Sequence, residues 1–428
     1  MGYFLSKILQ NEWYFVLLMG VLSRTIIIVT MMAIAPLVSV PSEQSGVNFG
    51  WEVFSAWDSP LYQQIAANSY DNSGSEPGAN VAFFPLFPLL IRLGMTLGLS
   101  ANLVGILVNN TAFFLTLFVV YRWIKQTNSP FVARWVVATL AWCPLSIFGT
   151  VIYTEGVFLL FSSLALFSFE SKKYTQTMVW GILATATRIT GLALIPTFLW
   201  VAWQKKLPLM AYVAGLLSGG GTFLYSLYCW FHFNDPIAFI TVQHTEWQRK
   251  QGIDWEGWGR MLAEITIGGK NWAAGTIADP WHPFLFLLIM AIAYGLWHYR
   301  AAIPQPYFDY SLYSLGFFLW LLSGDPLLNT LSVLGGLVLL WCSRQRLSLV
   351  VYVYGLCALG LLLASGGTIS LNRLAYGIVS LSIALGVTLS RSPRWGYCTL
   401  AFFTLLLITF SLRFAQHQWV ATIINMIG

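Results

Sequence analysis

The sequence predicts an all-α protein, a polytopic bundle of about thirteen transmembrane helices. Three observations lead there. The chain of 428 residues is 57% hydrophobic and only 9% charged, where a soluble domain carries roughly 25% charged residues. Its apolar runs recur at about 20 residues, enough to cross a bilayer. Its basic residues sit singly or in pairs between those runs, the distribution that membrane insertion favours. The net charge of +6 is therefore not a nucleic-acid signature, and no nucleic-acid partner is expected. A soluble chain of this length would hold two or three domains; a helical membrane bundle makes one, over residues 1–428. The five cysteines (Cys143, Cys229, Cys342, Cys357, Cys398) all fall in apolar runs without metal-ligand spacing, as buried small hydrophobes do.

The first apolar run is Trp13 to Val38. It exceeds the core of a signal peptide, about 7–15 residues, Arg24 interrupts it, and Pro36 follows the small-residue site Ala33-Ile34-Ala35; a retained helix is expected. A first outer loop covers about 39–82. Phe83 to Leu99 is apolar but short and holds Pro85, Pro88 and Arg92, which suits an interfacial or re-entrant segment. Spans follow near 103–123, 131–151 and 153–170. The run from Tyr174 to Trp203 is too long for one helix and is split by Thr185, Thr187, Arg188 and Thr190, so two short helices should meet there. A span near 208–231 leads to a polar outer segment of about 233–280 with interfacial helices. The last spans lie near 281–299, 307–323, 326–342, 348–364, 374–390 and 395–411.

Charge tests this count. With the N-terminus inside, the inner face receives Lys7, Arg122, Lys125, Arg134, Lys172, Lys173, Lys205, Lys206, Arg300, Arg344, Arg346, Arg391 and Arg394, against the acids Glu12, Glu170 and Asp309. Each short inner loop after the first is then basic, and the alternation closes. The first outer loop, the 233–280 segment, Glu155, Arg188, Asp325 and Arg373 share the outer face.

The outer polar groups hold the chemistry. Between Trp51 and Ala82 stand Glu52, Asp58, Asp71 and Glu76 without one Lys or Arg. Such acids are costly between apolar spans unless they face water or do chemistry. In Trp57-Asp58-Ser59-Pro60, Asp58 or Ser59 suits a helix cap with Pro60 in the first turn. The same placement, a carboxylate at a helix start against the membrane, suits a base that takes a proton from a sugar hydroxyl. Tyr62 lies one turn from Asp58, in reach of it or of a sugar; Trp57 can stack on a sugar ring or serve the interfacial aromatic belt. Asp71 is the candidate second acid of the loop.

Glu155, between two hydrophobic helices, is either a site acid or an ion-pair partner for Arg188. Asp235-Pro236 starts a helix on which Gln243 and Trp247 are four apart and His244 lies near Arg249 and Lys250. Cations at an outer boundary suit a lipid phosphate, or merely snorkel. Arg373, where an outer loop enters a span, is a phosphate ligand or an interface anchor. No metal, P-loop or dinucleotide constellation appears, and no hydrophilic stretch is large enough to bind a nucleotide sugar. If sugar chemistry occurs here, the donor should be a lipid in the bilayer. No cofactor is required by these residues, although four acids in one loop leave room for a divalent metal.

The stretch WDSPLYQQIA, followed by AFFPLFP, resembles the signature of the PIG-V family, integral-membrane mannosyltransferases of the GT-C superfamily. CPLSIFGTVIYTEGVFLLFSSLALF is similar to its proline-to-YTE hairpin and ATRITGLALIP to its Arg-x-x-Gly block, FNDPIAFITVQHTEW to its DPxxF and Q-x-x-W block, and SLNRLAYG to its late Arg motif. The resemblance implies a GT-C fold with an outer active site and inverting transfer of a sugar, usually mannose, from a polyprenyl- or dolichyl-phosphate donor to a hydroxyl on a glycan, glycolipid or protein. By the matching blocks it implies Asp58 as catalytic base and Glu155, Arg188, Gln243, Trp247 and Arg373 as site residues. Ile189-Thr190 departs from the Ser-Asn common in the Arg block. The rival class is a polyprenyl-phosphate or glycolipid flippase, which uses the same cations but has no need of Asp58.

Overall fold

The computed structural model describes residues 12–38, 50–73, 76–250 and 252–420. Lys7 and residues 39–49 of the expected first outer loop lie outside them. The described chain is a helical bundle; its β features there are a two-residue ladder, Asn72–Ser73 against Glu76–Pro77, and an isolated parallel bridge between Gly252 and Ser365.

Among the described residues, five helical stretches are long and apolar enough to cross a membrane: Glu12–Leu37, Ala101–Thr127, Trp281–His298, Asp325–Ser343 and Pro393–Ala415. Shorter apolar helices, among them Pro130–Trp142 and Leu349–Leu363, pack between them. The chain is thus an integral membrane protein. Leu86–Met95 is one of the short helices, where a segment short of a full crossing was expected.

Several expected spans are broken, each for a local reason. The 131–151 run is helical only to Trp142 (α1, Pro130–Trp142). Pro144 follows, and the residue before a proline is pushed out of helical geometry; the chain continues as a 3₁₀ turn, Pro144–Gly149. The 208–231 run breaks into Leu209–Leu217 and Gly220–Phe233. Thr185 answers the freed backbone groups at that break: its hydroxyl donates to the Ser218 carbonyl at 2.8 Å and accepts from the Gly221 N–H at 3.1 Å. In a bilayer such groups need an internal partner. The expected break near Thr187 is present. Helix Tyr174–Thr187 ends, Arg188 is extended, and a 3₁₀ turn, Ile189–Ala193, leads into Leu194–Gln204.

The centre of the bundle is α3 (Glu155–Glu170), packed against α2 (Ala101–Thr127) and α4 (Tyr174–Thr187). The irregular stretch 144–154 leads into α3 and is held from both sides. Asn109 of α2 donates to the Phe148 carbonyl at 2.8 Å and the Val151 carbonyl at 2.6 Å, and accepts from the Gly156 N–H at 2.8 Å. Asn110 donates to the Thr150 carbonyl at 3.0 Å. From the first helix, Arg24 reaches the Ser146 carbonyl at 2.7 Å and the Thr150 hydroxyl at 2.9 Å. Three polar side chains on apolar helices thereby place Tyr153 and Glu155.

Candidate active site

Asp58 occupies the N-cap of α5 (Ser59–Asn68), but its side chain makes no capping bond. Its Oδ2 instead accepts from Arg373 Nη1 at 2.5 Å, across a separation of 315 residues. The Asp58 N–H donates to the Tyr153 hydroxyl at 3.2 Å, and that hydroxyl donates to the Ala56 carbonyl at 3.3 Å. The Tyr153 ring also lies 4.9 Å from the Arg373 guanidinium carbon, within cation–π range. One tyrosine therefore fixes both the backbone of Asp58 and the cation opposite it.

The ion pair extends inward. Arg373 Nε lies 3.6 Å from Glu155 Oε1, and Arg188 Nη1 donates to the same oxygen at 2.7 Å. The order is Asp58, Arg373, Glu155, Arg188: two negative and two positive charges in alternation, with no net charge. Buried ions need such pairing. Burial alone would lower the Arg373 guanidinium; Asp58 and then Glu155 outweigh it and hold it above its ordinary value. The Glu155 side chain has no exposure while that of Asp58 is 21% exposed. Asp58 is the acid that a substrate can reach.

Beside this chain of charges lies a cavity of about 470 Å³. Arg188, Gln243, His244, Arg249 and Lys250 form its polar wall, and Leu192, Ile240, Leu361 and Leu362 its apolar one. The His244 Nδ1 meets the Arg249 carbonyl at 2.5 Å. A carbonyl only accepts, so Nδ1 carries the proton. The Arg249 N–H donates to the Gln243 carbonyl at 3.0 Å, and Lys250 N–H to the Gly366 carbonyl at 2.8 Å. Gly366 has φ +71°, and a Cβ there would run into the Lys250 carbonyl oxygen; only glycine permits this approach. Lys250 is paired with Glu256 at 2.5 Å and Asp254 at 3.4 Å. Arg249 has no ion pair among the described residues, and burial, then the neighbouring Arg373, holds its guanidinium below its ordinary value. It is a cation waiting for an anion.

The remaining candidates divide. The Tyr62 ring packs edge-on against Phe83 at 5.1 Å and Tyr153 at 6.3 Å, and Trp247 reaches Phe83 at 6.1 Å, so Tyr62 and Trp247 share one aromatic wall with Tyr153. Trp57 has φ 60° and meets Trp419 at 5.6 Å. Asp71 does not join Asp58: both its oxygens accept from Gln64 Nε2 at 3.0 Å, on an exposed surface. Two carboxylates engage Arg373, whereas Arg249 has no ion pair among the described residues. Tyr153, Asn109 and Trp419 went unselected in the sequence. Tyr153 stands two residues before Glu155 in the hairpin block, the one signal available. No three His, Cys, Asp or Glu side chains gather as metal ligands among the described residues.

Solved structures share this helical membrane fold. The chain is similar to ArnT from Cupriavidus metallidurans bound to undecaprenyl phosphate, at 14% identity and TM-score 0.50, over 91% of this chain and 64% of that one. The Archaeoglobus fulgidus oligosaccharyltransferase follows, at 13% identity and TM-score 0.44 with zinc and sulfate, over 94% of this chain and 53% of that one. Its apo form gives 12% and 0.47, over 96% and 57%. The chain thus spans between about half and two-thirds of the length of these proteins. Residues 8–207, a little under half of the chain, match the family described as Mannosyltransferase (PIG-V). The Arg249 and Arg373 blocks lie beyond it. No curated protein matches the chain.

Proposed function

We propose that the protein is a membrane glycosyltransferase that moves a sugar, mannose by the family model that residues 8–207 match, from a polyprenyl- or dolichyl-phosphate donor to a hydroxyl acceptor, with inversion and on the extracytoplasmic face. One observation carries the reading: the reachable carboxylate of Asp58 begins a neutral charge chain whose last member, Arg188, lines a cavity that also holds the open cation Arg249. The cavity has one cationic and one apolar wall, which suits a phosphate joined to a long hydrocarbon.

In this mechanism the acceptor hydroxyl gives its proton to an Asp58 carboxylate oxygen. The acceptor oxygen forms a bond to the anomeric carbon of the donor. The bond from that carbon to the phosphate oxygen breaks on the opposite face, and its electron pair stays on the phosphate. Arg249, with Arg188 in the same wall, meets the charge that develops there, so the leaving group needs no proton. Arg373 steadies Asp58 and buffers it from Glu155. One base on the attacking side is enough for inversion.

The test is pure protein in detergent with a panel of lipid-phosphate sugars and hydroxyl acceptors, the product's anomeric configuration read by NMR. Transfer with inverted configuration is expected. Binding without any covalent product would overturn the reading in favour of a flippase. Cysteines placed at 70 and 250 in a Cys-free background should label from the same, extracytoplasmic side; opposite sides would sink the shared outer site.

A further inference from the structure

Arg373 reaches Asp58 from a very short helix, α6 (Leu371–Tyr376), which follows Ser370 in the left-handed region at φ 60°. So short a helix does not hold its own direction. A buried polar cluster holds it. Asp325 Oδ1 accepts from Asn372 Nδ2 at 2.9 Å, and its Oδ2 accepts from Asn329 Nδ2 at 2.9 Å. Asn329 Oδ1 accepts from the Asn372 backbone N–H at 2.8 Å, and its Nδ2 also reaches the Thr368 carbonyl at 3.3 Å. Asn372 Oδ1 accepts from the Arg373 N–H at 2.6 Å. Asn329 and Asn372 are 2% and 0% exposed.

Asp325 has no cation partner among the described residues. A largely buried carboxylate without one is expensive unless its hydrogen bonds are complete. Here two asparagine amides and the Trp419 indole supply the donors. Trp419 in turn packs edge-on against Trp57 at 5.6 Å, the residue before Asp58. The one carboxylate therefore leads both ways: through Asn372 to Arg373, and through Trp419 to Asp58.

We infer that Asp325 is a positioning residue that sets the Asp58–Arg373 pair through Asn372 and Trp419. The inference rests on the glycosyltransferase reading above. Asp325 touches no substrate in it. Its work is to hold two segments, brought together from opposite ends of the chain, in the register that leaves one Asp58 oxygen on Arg373 and the other toward the acceptor.

The experiment compares wild type, Asp325→Asn and the double variant Asp325→Asn/Asn372→Asp, as full chains in detergent. Melting temperature, donor affinity and kcat per folded molecule are measured for each. In Asp325→Asn an amide N–H faces the Asn372 or the Asn329 amide, two donors in contact, and the start of α6 must shift. A displacement of about 1 Å can cost roughly 10²-fold in rate. A kcat loss of about 10- to 100-fold is expected, with donor affinity and melting temperature nearly unchanged. In the double variant the residue 325 amide donates to the residue 372 carboxylate and its carbonyl accepts from Asn329, so each donor meets an acceptor again. Recovery of most of the lost kcat is expected. Wild-type kcat in Asp325→Asn overturns the inference alone. So does a loss that appears only as a lower melting temperature, or a folded double variant no better than the single one. A wild type without transfer activity overturns the glycosyltransferase reading, and this inference with it.

Discussion

Two buried arginine sites invite comparison. Arg24, 3% exposed in the first helix, is met by neutral partners alone: the carbonyls of Ala141 and Ser146 and the hydroxyls of Ser146 and Thr150, at 2.7 to 3.2 Å, with its guanidinium carbon 4.2 Å from the Phe113 ring centre. Arg373 is met by two carboxylates and stands near a cavity. Both side chains tie distant segments together. The difference lies in what the partners can do afterwards. Carbonyls and hydroxyls spent on Arg24 have no further chemistry, so that arginine is a clamp. A carboxylate held on one oxygen keeps the other for a proton, so in the proposed mechanism Arg373 prepares a reactive group. An arginine within a membrane bundle is therefore not a functional residue by charge alone; its partners decide.

The largest expected effect tests the reactive side of this comparison. Asp58→Asn keeps the shape and loses the proton acceptor. General-base loss usually costs about 10²–10⁴ in rate, and the structure shows no capping bond from this side chain to lose. Transfer rate per folded, donor-binding molecule should fall by that range. If the variant keeps more than about a tenth of wild-type turnover, less loss than a base predicts, Asp58 is not the base.

Arg24→Leu tests the clamp. It strands several buried acceptors at once, and bonds to charged donors are worth about 1.5–3 kcal/mol each. A stability loss of about 2–4 kcal/mol is expected, since part of the gap relaxes. Turnover per folded molecule should stay close to wild type. Loss of turnover with unchanged stability would break the distinction between the two arginines.

Arg249→Gln should act on the donor. Removing one phosphate contact is expected to raise donor KM about tenfold, near 1.4 kcal/mol, with stability unchanged because Arg249 has no ion pair to lose. Unaltered donor kinetics would return the phosphate to Arg188 or His244. The smallest effect belongs to Asp71→Asn. Its exposed pair with Gln64 predicts changes within about 0.5 kcal/mol in stability and none in turnover. A large activity loss there would place a second acid in the reaction.

The sequence by itself determined the membrane class, because low charge and repeated apolar runs leave few other folds. It also singled out Asp58, Glu155, Arg188, Arg249 and Arg373 as candidate site groups, since an acid or cation beside an apolar span stands out against its neighbours. The break at Arg188 was legible, because a polar patch interrupts a helix locally; the one at Pro144 falls inside an expected span. The pairing was not legible. Asp58 and Arg373 are 315 residues apart, and no periodicity relates them; only packing around α3 brings them together. The short α6 and the roles of Tyr153, Asn109, Asp325 and Trp419 were equally hidden. An asparagine or tyrosine on an apolar helix reads the same whether it faces lipid, a carbonyl or an active site, and the tertiary structure alone decides which of these it meets.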